Sequence, residues 1–105
     1  MPSTPKAADK RAPPPRQSYH EKGFAKDWQR LTRSGRYNMN HLKEAMLLLI
    51  ANAGPLPPEW RDHELTGNWG GHRECHVGGD FLLIYRLDND RVVFIRAGTH
   101  ADLFE

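Results

Sequence analysis

Between residues 21 and 34, Phe24, Trp28 and Leu31 recur at intervals of four and three, while Lys22, Lys26, Arg30 and Arg33 occupy other angles around the turn. That spacing predicts an amphipathic helix with a basic outer face, stopped by Gly35. Asn38 is suited to capping a second helix. Its stripe runs through Met39, Leu42, Met46, Leu49 and Ala53, is widened by Leu47, Leu48 and Ile50, and ends at Gly54 with Pro55, Pro57 and Pro58. A Met and Leu stripe of this kind is core, and the short turn at residues 35–37 predicts antiparallel packing of the two helices.

From residue 55 to about residue 71 no period is visible, so a loop is expected there. Three strand-like runs follow, at 73–77, 80–87 and 91–97. Gly78-Gly79 separates the first two and Asn89-Asp90 the last two, both suited to the positive φ of tight hairpin turns. With Gly78-Gly79 as the whole first turn, Val77 pairs with Asp80, His76 with Phe81, Cys75 with Leu82 and Glu74 with Leu83. The second turn pairs Leu87 with Val92, Tyr85 with Phe94 and Leu83 with Arg96. One face then collects Cys75, Val77, Leu82, Ile84, Val93, Ile95 and Ala97, with Arg86 as its one charge, a face for helices to cover. The other collects Glu74, His76, Phe81, Leu83, Tyr85, Phe94 and Arg96, and the same parity continues to Gly98 and His100. The expected fold is α+β: two N-terminal antiparallel helices packed on a small, curved, mainly antiparallel sheet.

Composition refines this picture at the N-terminus. Residues 1–15 are proline-rich and basic without apolar periodicity, and read as a flexible arm; residues 16–105 read as one domain. The arm's end, with residues 17–19, suits a short edge strand, where proline is tolerated. The net charge of +2 conceals an asymmetry. Residues 1–36 hold nine Lys and Arg against three acids, and the remainder six against ten, as expected of a chain that offers one flank to a polyanion. One cysteine, Cys75, allows no internal disulfide and reads as a packing thiol. No apolar run is long enough for a membrane span or signal peptide, so the expected setting is the cytoplasm.

The candidate chemistry lies in the last forty or so residues. His63, His76 and His100 are groups that can move protons near neutral pH, and two of them fall on one sheet face beside arginine. On a basic chain this pattern points to acid/base cleavage of a phosphodiester. His20 and His41 lie on helix faces away from this cluster. A metal-dependent nuclease is a rival, since His63, His76, His100 and Asp80 would make an acceptable ligand set, but no local ligand spacing supports one. No cofactor is expected.

The segments LPPEWRDHELTGNWGGHRECHVGGDFLLIYRL and RAGTHADLF, in this order and spacing, resemble the YafQ branch of the RelE/ParE superfamily of bacterial toxin–antitoxin toxins, over residues from about 18 to 104. The resemblance implies a small sheet curled against two N-terminal helices. It also implies an mRNA endoribonuclease, usually acting on the ribosome, silenced by a cognate antitoxin. On the matching positions His63, His76, Asp80 and His100 are the expected catalytic residues, with Phe81 and Phe104 as stacking surfaces for bases. Phe81 stands where YafQ itself has tryptophan, and His72 replaces a more usual aromatic residue. RNA supplies its own 2′-hydroxyl nucleophile, so the chain needs a base, an acid and charge stabilisation. His100 is expected as acid, His76 or Asp80 as base, His63 as phosphate holder or proton shuttle, and Arg73 and Arg96 as phosphate clamps. The rival of another class is a non-catalytic module that uses this fold to bind RNA, gyrase or an antitoxin.

Overall fold

A computed structural model describes residues 13–105. Residues 1–12, most of the expected arm, lie outside the described residues. Strand β1 (Gln17–His20) leads into helix α1 (Lys22–Ser34) and helix α2 (Met39–Ala51); a 3₁₀ turn (Pro58–Trp60), strand β2 (His63–Glu64) and a second 3₁₀ turn (Gly67–Trp69) follow. The chain then runs through β3 (Arg73–Gly78), β4 (Phe81–Asp88) and β5 (Arg91–Gly98) to a short helix α3 (His100–Phe104). These strands form one sheet in the order β1-β5-β4-β3-β2, with β1 parallel to β5 and every other pair antiparallel. No helix among the described residues is long and apolar enough to cross a membrane.

Both long helices end where a residue takes left-handed backbone. Gly35 (φ 68°) stops α1 as its sequence predicts. α2 stops earlier than the apolar stripe, at Asn52 (φ 56°), whose amide bonds Leu48 O; Ala53 therefore lies beyond the helix. Asn38 caps α2 by accepting from the His41 amide. The last carbonyls of α2 are satisfied from outside: Arg16 donates its amide to Ile50 O and its guanidinium to Leu49 O, each at 2.7 Å. Those contacts aim the chain into β1, which is the edge strand expected of residues 17–19.

Phe24 and Leu31 of α1, with Leu42, Ala45 and Leu49 of α2, bury against Cys75, Val77, Phe81, Leu83, Tyr85, Val92, Phe94 and Ala97 of the sheet. A smaller cluster of Leu82, Ile84, Val93, Ile95 and Leu103, flanked by Leu65 and Trp69, lies apart from this core. The expected faces are thus corrected at the centre of the sheet: Phe81, Leu83, Tyr85 and Phe94 face the helices, and Leu82, Ile84, Val93 and Ile95 face away. Two irregularities cause the exchange. The first turn is Gly79-Asp80 (Gly79 φ 51°), Gly78 pairs with Phe81, and His76 pairs with Leu82, leaving Val77 bulged. In the second hairpin Tyr85 pairs with Phe94 as expected, but Ile84 pairs with Arg96 and Leu83 with Ala97, leaving Ile95 unpaired. Each extra residue shifts parity by one. Glu74 and His76 consequently stay opposite the helices, because Cys75 and Val77 keep the core side.

Candidate active site

His63 lies on β2 where a loop was expected, directly opposite Glu74 of β3. Residues so paired share a face, and Glu74 and His76, two apart on one strand, share it too. His63 Nε2 therefore comes within 3.2 Å of Glu74 Oε2, His76 Nε2 stands 3.8 Å from the same oxygen, and the two rings are 6.1 Å apart. Glu74 is 3% exposed, and its other oxygen, Oε1, has no hydrogen-bond partner. His63 Nδ1 is 2.8 Å from Arg61 O. A carbonyl only accepts, so Nδ1 carries a hydrogen. The opposite nitrogen, Nε2, is the one that meets the Glu74 carboxyl group. His63 is thus held between a backbone carbonyl and the Glu74 carboxylate, with His76 beside it.

A second histidine–carboxylate pair forms where β5 runs into α3. Leu82 pairs with His76 on one side and Gly98 on the other, so His76 and Gly98 lie in one row across three strands, about 10 Å apart at usual strand spacing. Thr99 then caps α3 in a capping box with Asp102. His100, the first residue of α3, directs Nδ1 to Asp80 Oδ1 at 2.9 Å, and its amide bonds the same oxygen at 3.2 Å. The side-chain hydrogen bond from His100 holds the Asp80 carboxyl below its ordinary range. With Nδ1 engaged, Nε2 of the exposed ring is the nitrogen left to meet a substrate. Phe104 packs 5.4 Å from His100 and edge-on to Trp69 at 5.9 Å, and remains 38% exposed.

The structure thus places His63 with His76, and Asp80 with His100, at one end of the sheet. It corrects Phe81 among the expected binding residues and finds Arg73 and Arg96 in ion pairs. Phe81 is 5% exposed and packs against Tyr37 on the helix side, so its ring presents no stacking surface. Arg73 follows the parity of Cys75 toward the helices, where it donates Nε and Nη2 to Asp62 Oδ2; Tyr85 OH also bonds Asp62. Arg96 donates to buried Asp27 beneath α1. Both guanidinium groups are held above their ordinary pKa chiefly by these carboxylates, which engage Nε and Nη2 of each. Phe104 keeps its exposed face. Cys75 is wholly buried, and burial pushes its thiol up to about 12, as fits a packing residue. Glu74 was not singled out from the sequence. The signal was its position two before His76, which puts a carboxylate and an imidazole on one side of any strand.

His63, Glu74 and His76 are also the one group among the described residues whose donor atoms are mutually close enough, within 4.8 Å, to hold a metal ion. Two imidazoles and one carboxylate suit zinc or copper.

Two long helices packed on one face of an open five-stranded mixed sheet make the α+β, RelE-like fold of such toxins. A model of the family described as a bacterial toxin of type II toxin–antitoxin system, YafQ, matches residues 16–105, and the chain belongs to that family. It is 46% identical over 81 residues to the mRNA interferase toxin YafQ of Escherichia coli, covering 77% of this chain and 87% of that protein. It is similar in structure to YafQ in the E. coli DinJ–YafQ complex, with a TM-score of 0.78 and 42% identity over 86% of this chain and 99% of that one. A metal-bound toxin from Helicobacter pylori gives a TM-score of 0.74 at 32% identity, covering 84% of this chain and 98% of that one.

Proposed function

We propose that this chain is the toxin of a type II toxin–antitoxin system, an endoribonuclease that stops translation by cleaving mRNA on the ribosome in the cytoplasm. The observation that carries the reading is the pair of carboxylate-anchored imidazole sets, His63–Glu74–His76 and Asp80–His100, at one end of the sheet. Kinship to the E. coli mRNA interferase supports the substrate class. Kinship to the toxin of the DinJ–YafQ complex supports a cognate antitoxin as protein partner.

The chemistry needs no resident metal, because the nucleophile is the RNA 2′-hydroxyl. His76 is the better placed of the two expected bases, since Asp80 is engaged by both the ring and the amide of His100. His63 holds the phosphate or passes a proton to or from His76 beside it. His100 protonates the departing 5′-oxygen through Nε2, with Asp80 fixing the ring as an orienting carboxylate does in other acid/base pairs. Phe104 offers its exposed ring to a base. Lys22, Lys26 and Arg33 supply the basic face for ribosomal RNA, whose binding should weaken steeply with salt.

The test is cleavage of a reporter mRNA in a translation extract by wild type and by His100→Ala. The expected products end in a 2′,3′-cyclic phosphate or 3′-phosphate and a 5′-hydroxyl. His100→Ala should lose about 10³-fold in rate, within the range of a general acid, while still binding antitoxin. Unchanged cleavage in His100→Ala would remove the catalytic assignment and leave a binding module. A second reading has its own observation: the metal-capable cluster at His63, Glu74 and His76. Excess chelator decides between them, since the metal-free mechanism is indifferent to it and a metal-assisted one is abolished.

A further inference from the structure

Helix α1 meets β5 with a charged group at the contact. Asp27, 4% exposed, accepts from Arg96 Nε at 2.6 Å and Nη2 at 3.2 Å, from the Ala97 amide at 3.0 Å, and from Arg30 Nη2 at 3.2 Å. Each carboxylate oxygen thus receives two hydrogens. Arg30 then spans to Asp102, with Nη1 3.3 Å from Oδ2, and the same Asp102 oxygen bonds the Thr99 amide within the capping box of α3. Missing side chains make room for this chain of contacts. A Cβ on Gly23 would stand 2.8 Å from Arg96 Cδ, and one on Gly98 would stand 2.8 Å from Asp102 Oδ2 and 3.2 Å from Arg30 Nη2.

The end of the relay is a place that cannot hold itself. α3 has five residues, of which only Leu103 is buried, and an isolated helix of that length is unstable. Asp80, the partner of His100, sits in a two-residue turn with its side chain 58% exposed. Both members of the Asp80–His100 pair are therefore on parts of the chain inclined to local opening. A displacement of about 1 Å at a reacting group can cost on the order of 10² in rate.

We propose that Asp27 is a positioning residue: through Arg30 and Asp102 it fastens the start of α3 to α1 and so holds His100 in register with Asp80. The inference rests on the reading of His100 as a proton-transfer group. It explains why a fully satisfied carboxylate and two guanidinium groups are spent between a helix and a strand that already share an apolar contact at Phe24 and Phe94.

Arg30 is the position to vary, because its half-exposed side chain can be shortened without stranding a buried charge: Arg96 and the Ala97 amide still pair with Asp27. Arg30→Met and Arg30→Lys should both fold, and both should lower kcat about tenfold with KM changed less than twofold. In the free toxin, the Asp80 carboxyl followed by ¹³C NMR should titrate higher in both variants than in wild type, as its contact with His100 loosens. Asp27→Asn combined with Arg30→Met should cost no more in kcat than the worse single change, because both cut one relay. An Asp80 titration unmoved in both variants would overturn the proposal whatever the kcat, and so would multiplicative losses in the double variant. If the titration moves while cleavage does not, the positioning stands and the catalytic reading of His100 falls instead.

Discussion

Two carboxylates are buried among the described residues, and they are opposite in kind. Asp27 has both oxygens saturated with donors from two arginines and a backbone amide. Glu74, no more exposed, leaves one oxygen without a partner and turns the other toward two imidazoles. A buried charge is tolerated in proportion to the hydrogen bonds it receives. Asp27 meets that condition and serves as a fastener. Glu74 does not, and an under-satisfied buried carboxyl group beside two imidazoles marks a place where proton chemistry matters more than stability.

The largest effect expected from this contrast is at Asp27. Asp27→Ala strands Arg96 and the Ala97 amide beneath α1, and breaking one side of a buried ion pair costs about 3 to 5 kcal/mol. Against a domain stability of about 5 to 15 kcal/mol, that should bring the urea midpoint down by about a fifth or more. A loss below about 1 kcal/mol would mean that the saturated carboxylate contributes little, and the contrast would fail.

Much of the fold was legible in the sequence because helices and hairpin turns leave local signals: the spacing of Phe24, Trp28 and Leu31, the cap at Asn38, and the turn at Asn89-Asp90. The exchange of faces at the centre of the sheet was not legible. β4 is buried without interruption from Phe81 to Tyr85, and a run apolar on both sides carries no alternation from which to read which side meets the helices. A bulge at Val77 or Ile95 is likewise a property of pairing between strands. At the site, the face of His76 could be read from strand parity, whereas His100 lies on α3, beyond the strand to which that parity applies. The pairing of His63 with Glu74 depends on a two-residue strand formed only by tertiary contact. The ion pairs that engage Arg73 and Arg96 join residues 11 and 69 positions apart, and no local pattern announces them.

At Glu74 the expected effects are smaller in energy and have opposite signs for stability and activity. Glu74→Met replaces an incompletely paired buried charge by an apolar side chain of similar length. Such replacements are often neutral or stabilising, here by about 1 to 2 kcal/mol. The same change removes the carboxyl group that His63 and His76 share, and cleavage should fall about 10²-fold. A thermal melt and a reporter-mRNA assay on one preparation test both halves. A variant that is less stable and fully active would show that Glu74 is an ordinary structural carboxylate.

The smallest effect belongs to Asp80, which repeats the histidine–carboxylate pairing of Glu74 in full contact with water. Its carboxyl is held below the ordinary value of 3.8 chiefly by the His100 side chain. A depressed carboxyl binds protons less readily in the folded chain than in the unfolded one, so its contribution to stability is present above pH 4 and is lost as pH falls through the folded value. Asp80→Asn should therefore leave the melting temperature at pH 7 lowered by a degree or two at most, with the difference from wild type shrinking in acid below pH 4. Solvent screening keeps the change small even though His100 is close. A difference that widens in acid would mean that the carboxyl is stabilised in its protonated form, and that the hydrogen bond to His100 runs in the opposite sense to the one its geometry requires.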